Sequence, residues 1–222
     1  MSNSSSLLIR QLGVQDYTSV WQAMQAFTQT RDDASTDEIW LLQHPPVYTL
    51  GLNGKRKHLL VANAIPVIDV DRGGQVTYHG PGQLVAYTLI DLKRKQLGVR
   101  DLVQHIEQAI MELLAEYAIE AERKPDAPGV YVDGAKIAAL GLRIKKERSY
   151  HGLSLNIDMD LSPFTAINPC GYEGMPVTQL RDLANRTIVF ADIAKQLIKH
   201  LSRQLQYNDM NYSQEVPTQL KG

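Results

Sequence analysis

The chain's single cysteine, Cys170, sits in the stretch INPCGYEGMPV between Pro169 and Gly171. Proline and glycine both disfavour regular structure, so this thiol belongs to a loop rather than to the inside of an apolar strand or helix. A thiol on a turn can meet a substrate and act as a nucleophile, provided that a cation or a helix N-terminus lowers its pKa from about 8.5. The alternative is a free cysteine packed as a small hydrophobe, and the residues alone leave both readings open.

A nucleophile needs a partner from elsewhere in the chain. His44, His79 and His151 fall in loop or strand-edge contexts, where each could act as a base or rest as a surface or satisfied core histidine. Lys136 follows the turn DGA and is flanked by IAALG. A lysine held against small apolar residues can approach a thiol and stabilise its anion; the plainer alternative is a solvated hairpin lysine. The segment RGGQVTYHGPGQ holds four glycines and a proline in twelve residues. It has neither P-loop nor G-x-G-x-x-G spacing. Its glycines allow backbone N–H groups to approach a ligand, and Arg72, Thr77, Tyr78 and His79 supply polar edges, so a binding loop is favoured over two tight turns around a short strand.

The elements that must position these residues follow from hydropathy. Residues 14–27 place Val14, Tyr17, Val20, Trp21, Met24 and Phe27 at helical spacing behind Asp16 as N-cap. Strands are expected at EIWLLQ, after the turn in HPPVYTLGL, at IPVIDVD, at LVAYTLIDL and at YHGLSLNID. GVYVDGAKIAALGLRI reads as a hairpin around Asp133-Gly134. Amphipathic helices are expected near residues 100–118, with Leu102, Ile106, Ala109, Ile110, Leu113 and Tyr117 on one face, and near residues 188–206. The polar residues from 208 to 222 read as a tail that frays. There is no internal repeat, and the irregular alternation of elements lacks the rhythm of a parallel doubly wound fold. The expected class is α+β: one domain with a mixed, mainly antiparallel sheet and packed helices, spanning residues 1–207.

Composition narrows the function. The chain has 222 residues, 44% hydrophobic and 21% charged, with a formal net charge of -1. That is enough to bury a core and gives no global basic field for nucleic acid. One cysteine excludes an intramolecular disulfide and any Cys-rich zinc site. No run approaches the roughly 18 apolar residues of a spanning helix, and no secretory signal is read at the N-terminus, so the expectation is a protein of a reducing compartment, the cytoplasm.

RGGQVTYHGPGQLVAYTLIDL, GVYVDGAKIAALGLRI, HGLSLNID and INPCGYEGMPVTQL, in this order and preceded by QHPPVYTLG, resemble the bacterial lipoyl(octanoyl) transferase family. The resemblance runs across about residues 40–185. It implies the fold of lipoate and biotin protein ligases, with the ligase-like core over about 30–207. It also implies transfer of an octanoyl group from octanoyl-acyl carrier protein to a lysine of a lipoyl domain, with no cofactor. Acceptors implied are the E2 subunits of 2-oxoacid dehydrogenases and the glycine cleavage H protein; a monomer is expected, with no nucleic-acid or membrane partner. Cys170 matches the acyl-thioester nucleophile and Lys136 the lysine that lowers its pKa and assists proton transfer. Arg72, Gly73, Gly74, Gln75, Val76, Thr77, Tyr78 and His79 match the substrate-binding loop. Ala139, Leu140 and Gly141, with Gly152, Leu153 and Ser154, match the binding positions on two following strands.

Such a family works by two acyl transfers in turn, and the donor is already a thioester, so no ATP is required. Oxyanion donors are expected among backbone N–H groups around Gly171 or in the Gly73-Gly74 loop. Ala138, Ala139 and Gly141 are compatible with an apolar slot for the chain. The basic runs Lys55-Arg56-Lys57, Lys93-Arg94-Lys95 and Arg143 with Lys145-Lys146 are rival docking sites for an acidic carrier, of which at most one serves. The competing functions are an ATP-dependent ligase of the same fold, which needs no nucleophilic cysteine, and a non-catalytic acyl-carrier-binding module. The biotin-ligase run GRGRRG is absent.

Overall fold

The computed structural model describes residues 6–61 and 64–220, and Cys170 by its backbone alone. An eight-stranded sheet carries the fold, with strands β1 (Ser6–Val14), β2 (Asp37–Gln43), β6 (Gln83–Leu89), β7 (Glu122–Arg123), β8 (Gly129–Val132), β9 (Ala135–Lys145), β10 (Arg148–Asn156) and β11 (Asp209–Ser213). Their order is β11-β1-β2-β6-β10-β9-β8-β7; β1 pairs in parallel with β2 and β11, and every other neighbour pair is antiparallel. A second sheet holds β3 (Val47–Leu50), β4 (Val67–Asp69) and β5 (Val76–His79) in the order β4-β3-β5. The expected α+β class with a mixed, mainly antiparallel sheet is what the chain forms.

The helices are α1 (Tyr17–Thr30), α2 (Leu92–Lys95), α3 (Val99–Ala115), α4 (Leu180–Leu183) and α5 (Phe190–Gln204). Asp16 caps α1 by accepting the Ser19 N–H at 2.9 Å, as its sequence position predicts. α3 and α5 cover one face of the large sheet: Leu102, Ile106, Ile110, Ile193, Leu197 and Ile198 are buried there against Leu84, Ala86, Leu153 and Leu155. α1 covers the other face, burying Val20 and Met24 against Trp40, Val85, Tyr87 and Leu89. β6 is therefore sandwiched, which explains why LVAYTL reads as a continuous apolar run instead of an alternating one.

Three elements differ from the sequence reading. Val14, placed on a helix face by its spacing, ends β1 instead and is 58% exposed. β1 itself, with Leu7 and Ile9 fully buried, lies in a stretch whose serines obscured the alternation. Residues 209–213, expected to fray, form β11 and pair in register with residues 6–10.

The Asp133-Gly134 turn is as anticipated: both residues have positive φ, +48° and +79°, and join β8 to β9. The ladder between these strands carries a shift that the sequence does not announce. Val130 pairs with Ala138 but Tyr131 pairs with Lys136, so Ile137 is an extra residue on β9. Such a bulge reverses the side-chain alternation. Ile137 and Ala138 both enter the core under α3 and α5, and Lys136 comes to the same side as Ala139 and Gly141.

Candidate active site

The face of β6, β10 and β9 not covered by α3 and α5 holds a narrow cleft, lined by residues from these strands and from the 72–79 segment. Ala139 stands opposite Ser154, and Gly141 opposite Gly152. These small residues make a floor on which little projects. Leu153 and Leu140 stand opposite one another, both packed with the main core and both also bordering the cleft. Ala138, expected in the slot, packs into that same core because of the bulge, although it also borders a much smaller adjoining cavity.

The segment Arg72–His79 forms the roof, and Arg72 shapes it. Its guanidinium donates to the Thr49 carbonyl at 2.7 Å, to Thr49 Oγ1, to the Gly73 carbonyl at 2.9 Å and to the Gln75 carbonyl at 2.9 Å. The fork thus folds the loop around itself. The Gly73 N–H donates to the Leu142 carbonyl at 2.9 Å, docking the roof on β9. A Cβ on Gly141 would stand 3.1 Å from both Arg72 Cδ and the Gly73 oxygen, so glycine is what lets the roof come this close. Gly74 has φ +91°. Tyr78 differs from its neighbours: its ring packs between Tyr48 and Phe164 beneath the small sheet and does not line the cleft.

Asp71, which the sequence reading passed over, holds the roof from the other side. Its carboxylate accepts from Trp21 Nε1 at 2.7 Å, Gln25 Nε2 at 3.0 Å, His151 Nε2 at 3.0 Å and the Tyr150 hydroxyl. Partial burial works against ionisation, but these donors outweigh it and hold the carboxyl well below the usual carboxylate range. One residue thereby ties the loop to α1 and β10. Its only signal in the sequence is adjacency to Arg72.

The three histidines, read as separate candidates, meet around Tyr17. Its ring centroid lies 4.9 Å from that of His44 and 5.7 Å from that of His79, and His151 packs against Tyr87. His44 donates from Nδ1 to the Gln15 carbonyl and accepts the Tyr87 hydroxyl at Nε2, both at 2.7 Å. His79 donates from Nδ1 to Gln83 Oε1 at 2.7 Å; the Gln83 amide donates to Asn156, and the Asn156 amide to the Thr178 carbonyl. Burial is the dominant influence on both rings, pushing His44 down to about 4 and His79 down to about 3. His151 is also lowered by burial, against the pull of Asp71. All three are neutral near pH 7, which makes them positioning groups and poor proton acceptors at that pH.

Lys136 is 4% exposed, so it is not the solvated hairpin lysine of the alternative reading. Nζ donates to the Pro128 carbonyl at 3.3 Å and stands 5.1 Å from the centre of the Tyr131 ring. Gly129, at φ +144°, makes room: a Cβ there would be 3.2 Å from Nζ and 2.7 Å from the Ala138 oxygen. The segment beyond the cysteine is stitched to Lys136 directly, through Lys136 N–H to the Pro176 carbonyl (2.8 Å) and Thr178 N–H to the Lys136 carbonyl (3.0 Å). Lys136 and Pro169 line one cavity, which shares Thr77, Ala139 and Ser154 with the main cleft.

The side chain of Cys170 lies outside the described residues. Its backbone stands in a 3-10 turn, Pro169–Gly171, as the flanking residues predict. Asn168 N–H donates to the His58 carbonyl at 2.9 Å, and a Cβ on Gly171 would stand 3.1 Å from Gln75 Cγ, so this turn and the roof approach closely. The Gly171 N–H is spent on the Asn168 carbonyl, and that of Gly73 on Leu142. These two are therefore withdrawn from the oxyanion donors expected from the sequence.

The basic runs separate cleanly. Arg94 binds Asp37 at 2.6 Å and Lys95 covers the Tyr207 ring, so that run is structural. Arg143, Lys145 and Lys146 lie toward or in the β9–β10 turn, at the end of β9 away from Lys136. Lys55, Arg56 and Lys57 are exposed beside the cleft, with the Lys55 N–H donating to Gln75 Oε1 at 3.2 Å.

Residues 16–202 match the family model described as the lipoyl protein ligase A/B catalytic domain. An octanoyltransferase of Stutzerimonas stutzeri is 62% identical over 199 residues, covering 90% of each chain. Among solved structures, a bipartite lipoate protein ligase from Thermoplasma acidophilum superposes with a TM-score of 0.76 at 13% identity, covering 99% of this chain and 90% of the other. A biotin protein ligase from Aquifex aeolicus follows at 0.55 and 12%, covering 90% and 69%. The ligases share the fold, while the close sequence likeness is to the transferase. The chain belongs to the lipoyl protein ligase A/B catalytic domain family, in its octanoyltransferase branch.

Proposed function

We infer that the chain transfers an octanoyl group from acyl carrier protein to a lysine of a lipoyl domain, through a thioester on Cys170. The observation that carries this reading is the junction at Lys136. Lys136, buried and re-aimed by a bulge, is clamped through its own backbone N–H and carbonyl to the segment following the cysteine and shares a cavity with the proline that flanks that cysteine. That cavity borders a cleft with a floor of small residues, the side on which an acyl chain would lie.

In the first half-reaction the Cys170 thiolate, stabilised by the Lys136 ammonium, attacks the octanoyl carbonyl. A C–S bond forms, the tetrahedral adduct collapses, and the carrier's thiolate departs, taking a proton from Lys136. In the second, the acceptor amine attacks the acyl-Cys170 carbonyl and gives a proton to the now neutral Lys136. The Cys170 thiolate leaves beside the restored ammonium. Exchange of one thioester for another is close to thermoneutral, and amide formation draws the sequence forward. Backbone N–H groups of the roof loop other than that of Gly73 remain the candidates for oxyanion donors, a contribution commonly worth roughly 3 kcal/mol each. The carrier docks on the Lys55–Lys57 rim, the basic run that flanks both loops. The scheme needs a reduced thiol, which fits the cytoplasm; among the described residues no helix is long and apolar enough to cross a membrane.

Intact mass spectrometry after incubation with octanoyl-acyl carrier protein tests the scheme. An octanoyl adduct is expected, absent from Cys170→Ala and discharged by an apo-lipoyl domain. Modification of the lipoyl domain only with free octanoate and ATP would replace this reading with the ligase one.

A further inference from the structure

The cleft has an inner end, and the residues there are not those the sequence points to. Its floor is built in rows across β6, β10 and β9. The row nearest the nucleophile loop is Gln83–Asn156; the next is Val85–Ser154–Ala139; the last is Tyr87–Gly152–Gly141. Pro169 and Lys136 border the first row. Residues on one face of an antiparallel strand recur every two positions, at about 3.4 Å per residue, so roughly 14 Å of floor separates the first row from the last. That length exceeds an extended octanoyl chain by a few carbons, leaving room for the thioester at the near end, and is too short for a palmitoyl chain.

The last row ends in aromatic rings. Tyr87 rises from the floor and Tyr17 descends from α1; they are 4% and 2% exposed, and both line the cleft. The Tyr87 ring is pinned because its hydroxyl donates to His44, itself fixed to the Gln15 carbonyl. The charged groups nearby are engaged elsewhere: the Asp71 carboxylate is taken up by Trp21, Gln25, Tyr150 and His151. His44 and His79 are neutral near pH 7, and the guanidinium of Arg72 is turned onto the oxygens of Thr49, Gly73 and Gln75. A fixed, uncharged aromatic wall at the end of a floor of glycine, alanine and serine suits a terminal methyl group.

We propose that Tyr87 and Tyr17 form the end wall at which the acyl chain stops, so that they set the upper limit of chain length, while Ala139 and Ser154 set the width of the channel leading to it. This rests on the octanoyltransferase reading and adds to it a cause for medium-chain specificity. Each methylene taken from water into the cleft favours the bound acyl group about fourfold until the methyl meets the wall. Beyond that, extra carbons must crowd a packed site or remain outside, and the preference reverses.

The test compares kcat/KM for hexanoyl-, octanoyl-, decanoyl- and dodecanoyl-acyl carrier protein, with an apo-lipoyl domain as acceptor. The wild type should peak at octanoyl. Tyr87→Leu removes the ring and should raise the decanoyl-to-octanoyl ratio about tenfold or more, whereas Tyr87→Phe keeps the ring and should keep the wild-type order whatever its absolute rate. Ser154→Val narrows the middle row and should move the order the other way, toward hexanoyl. If Tyr87→Leu does not fold, the Ser154→Val result decides. A folded Tyr87→Leu or Ser154→Val that scales every chain length by the same factor overturns the proposal. A wild type inactive with every carrier thioester would instead remove the functional reading beneath it.

Discussion

The two faces of the large sheet are built from the same strands and obey different rules. Under α3 and α5, Leu84, Leu153, Leu155 and Ile137 interlock with helix leucines and isoleucines into one apolar core. On the other face α1 packs an apolar cluster over part of the sheet, and beside it the strands present Gly141, Gly152, Ala139 and Ser154 among buried polar side chains. The first face holds its geometry by filling space; the cleft region of the second is held open by hydrogen bonds. Stability and activity should therefore respond separately to substitutions on the two faces.

The sharpest way to break that division is to exchange one residue on each. Lys136→Met removes an ammonium and keeps the volume. Its expected effect is a fall in acyl transfer of about 10²–10⁴-fold, the usual worth of a proton-transferring group. Thermal stability should fall only modestly, by about 1–3 kcal/mol, because the Pro128 carbonyl loses its donor. Ile198→Ala on the α5 stripe should do the reverse, costing about 2–5 kcal/mol of stability while the folded fraction keeps its specific activity. Denaturation midpoints and single-turnover rates on both variants check the pair. A Lys136→Met protein that loses activity only in proportion to lost stability would dissolve the distinction.

Acid should find the cleft face first. His44 and His79 have folded-state pKa values of about 4 and about 3, below the ordinary 6.5. Between pH 6.5 and 4 the unfolded chain binds protons that the folded chain refuses, so their contribution is present above pH 6.5 and is lost as pH falls. The two together give a slope of roughly 2–3 kcal/mol per pH unit in that window. Asp71, held below the normal carboxylate range, adds its own loss only at lower pH, beneath about 4. Urea unfolding at pH 7, 6 and 5 measures the slope, and His79→Gln should flatten it. A stability that is level from pH 7 to 5 would show that the histidines are not the buried neutral groups described.

How much of this was legible beforehand divides along the same line. The core face could be read from periodicity: the stripe from Leu102 to Leu113 and the Asp133-Gly134 turn stand where hydropathy and turn chemistry place them, while Tyr117, expected on the same helix face, is buried in the turn after α3 ends at Ala115. The glycines of the cleft were visible as a cluster, and their partners were not. That Gly141 faces Gly152, or that Gly129 clears space for Lys136, depends on strand register, which no local pattern encodes. The bulge at Ile137 is the extreme case. Strict alternation would place Lys136 with Ala138 under α3, and one extra residue decides that it turns to the cleft side of the sheet and lines the adjoining cavity. Asp71 was missed for a related reason: its four donors come from Trp21, Gln25, Tyr150 and His151, so they converge only after α1 and β10 have packed. Val14 and β11 erred the other way, where local polarity outweighed pairing that only the folded sheet supplies.

The smallest expected effect lies outside both faces, at the rim. Lys55 and Lys57 are exposed, and the neighbouring Arg56 is engaged by Asp69 at 2.6 Å in a pair that is itself solvated. Charges of this kind act mainly on encounter, and salt screens them over roughly 10 Å at 0.1 M. Lys55→Glu combined with Lys57→Glu should raise KM for octanoyl-acyl carrier protein by about three- to tenfold at low salt, as expected for lost steering of an acidic partner. The difference from the wild type should shrink as salt is raised. kcat, and the reaction with a small octanoyl thioester that lacks the carrier, should stay within about twofold, since neither charge touches the cleft floor. An equal loss with carrier and small thioester would mean that the rim shapes the cleft through Gln75 and His58, joining it to the hydrogen-bonded face and leaving the carrier to dock elsewhere.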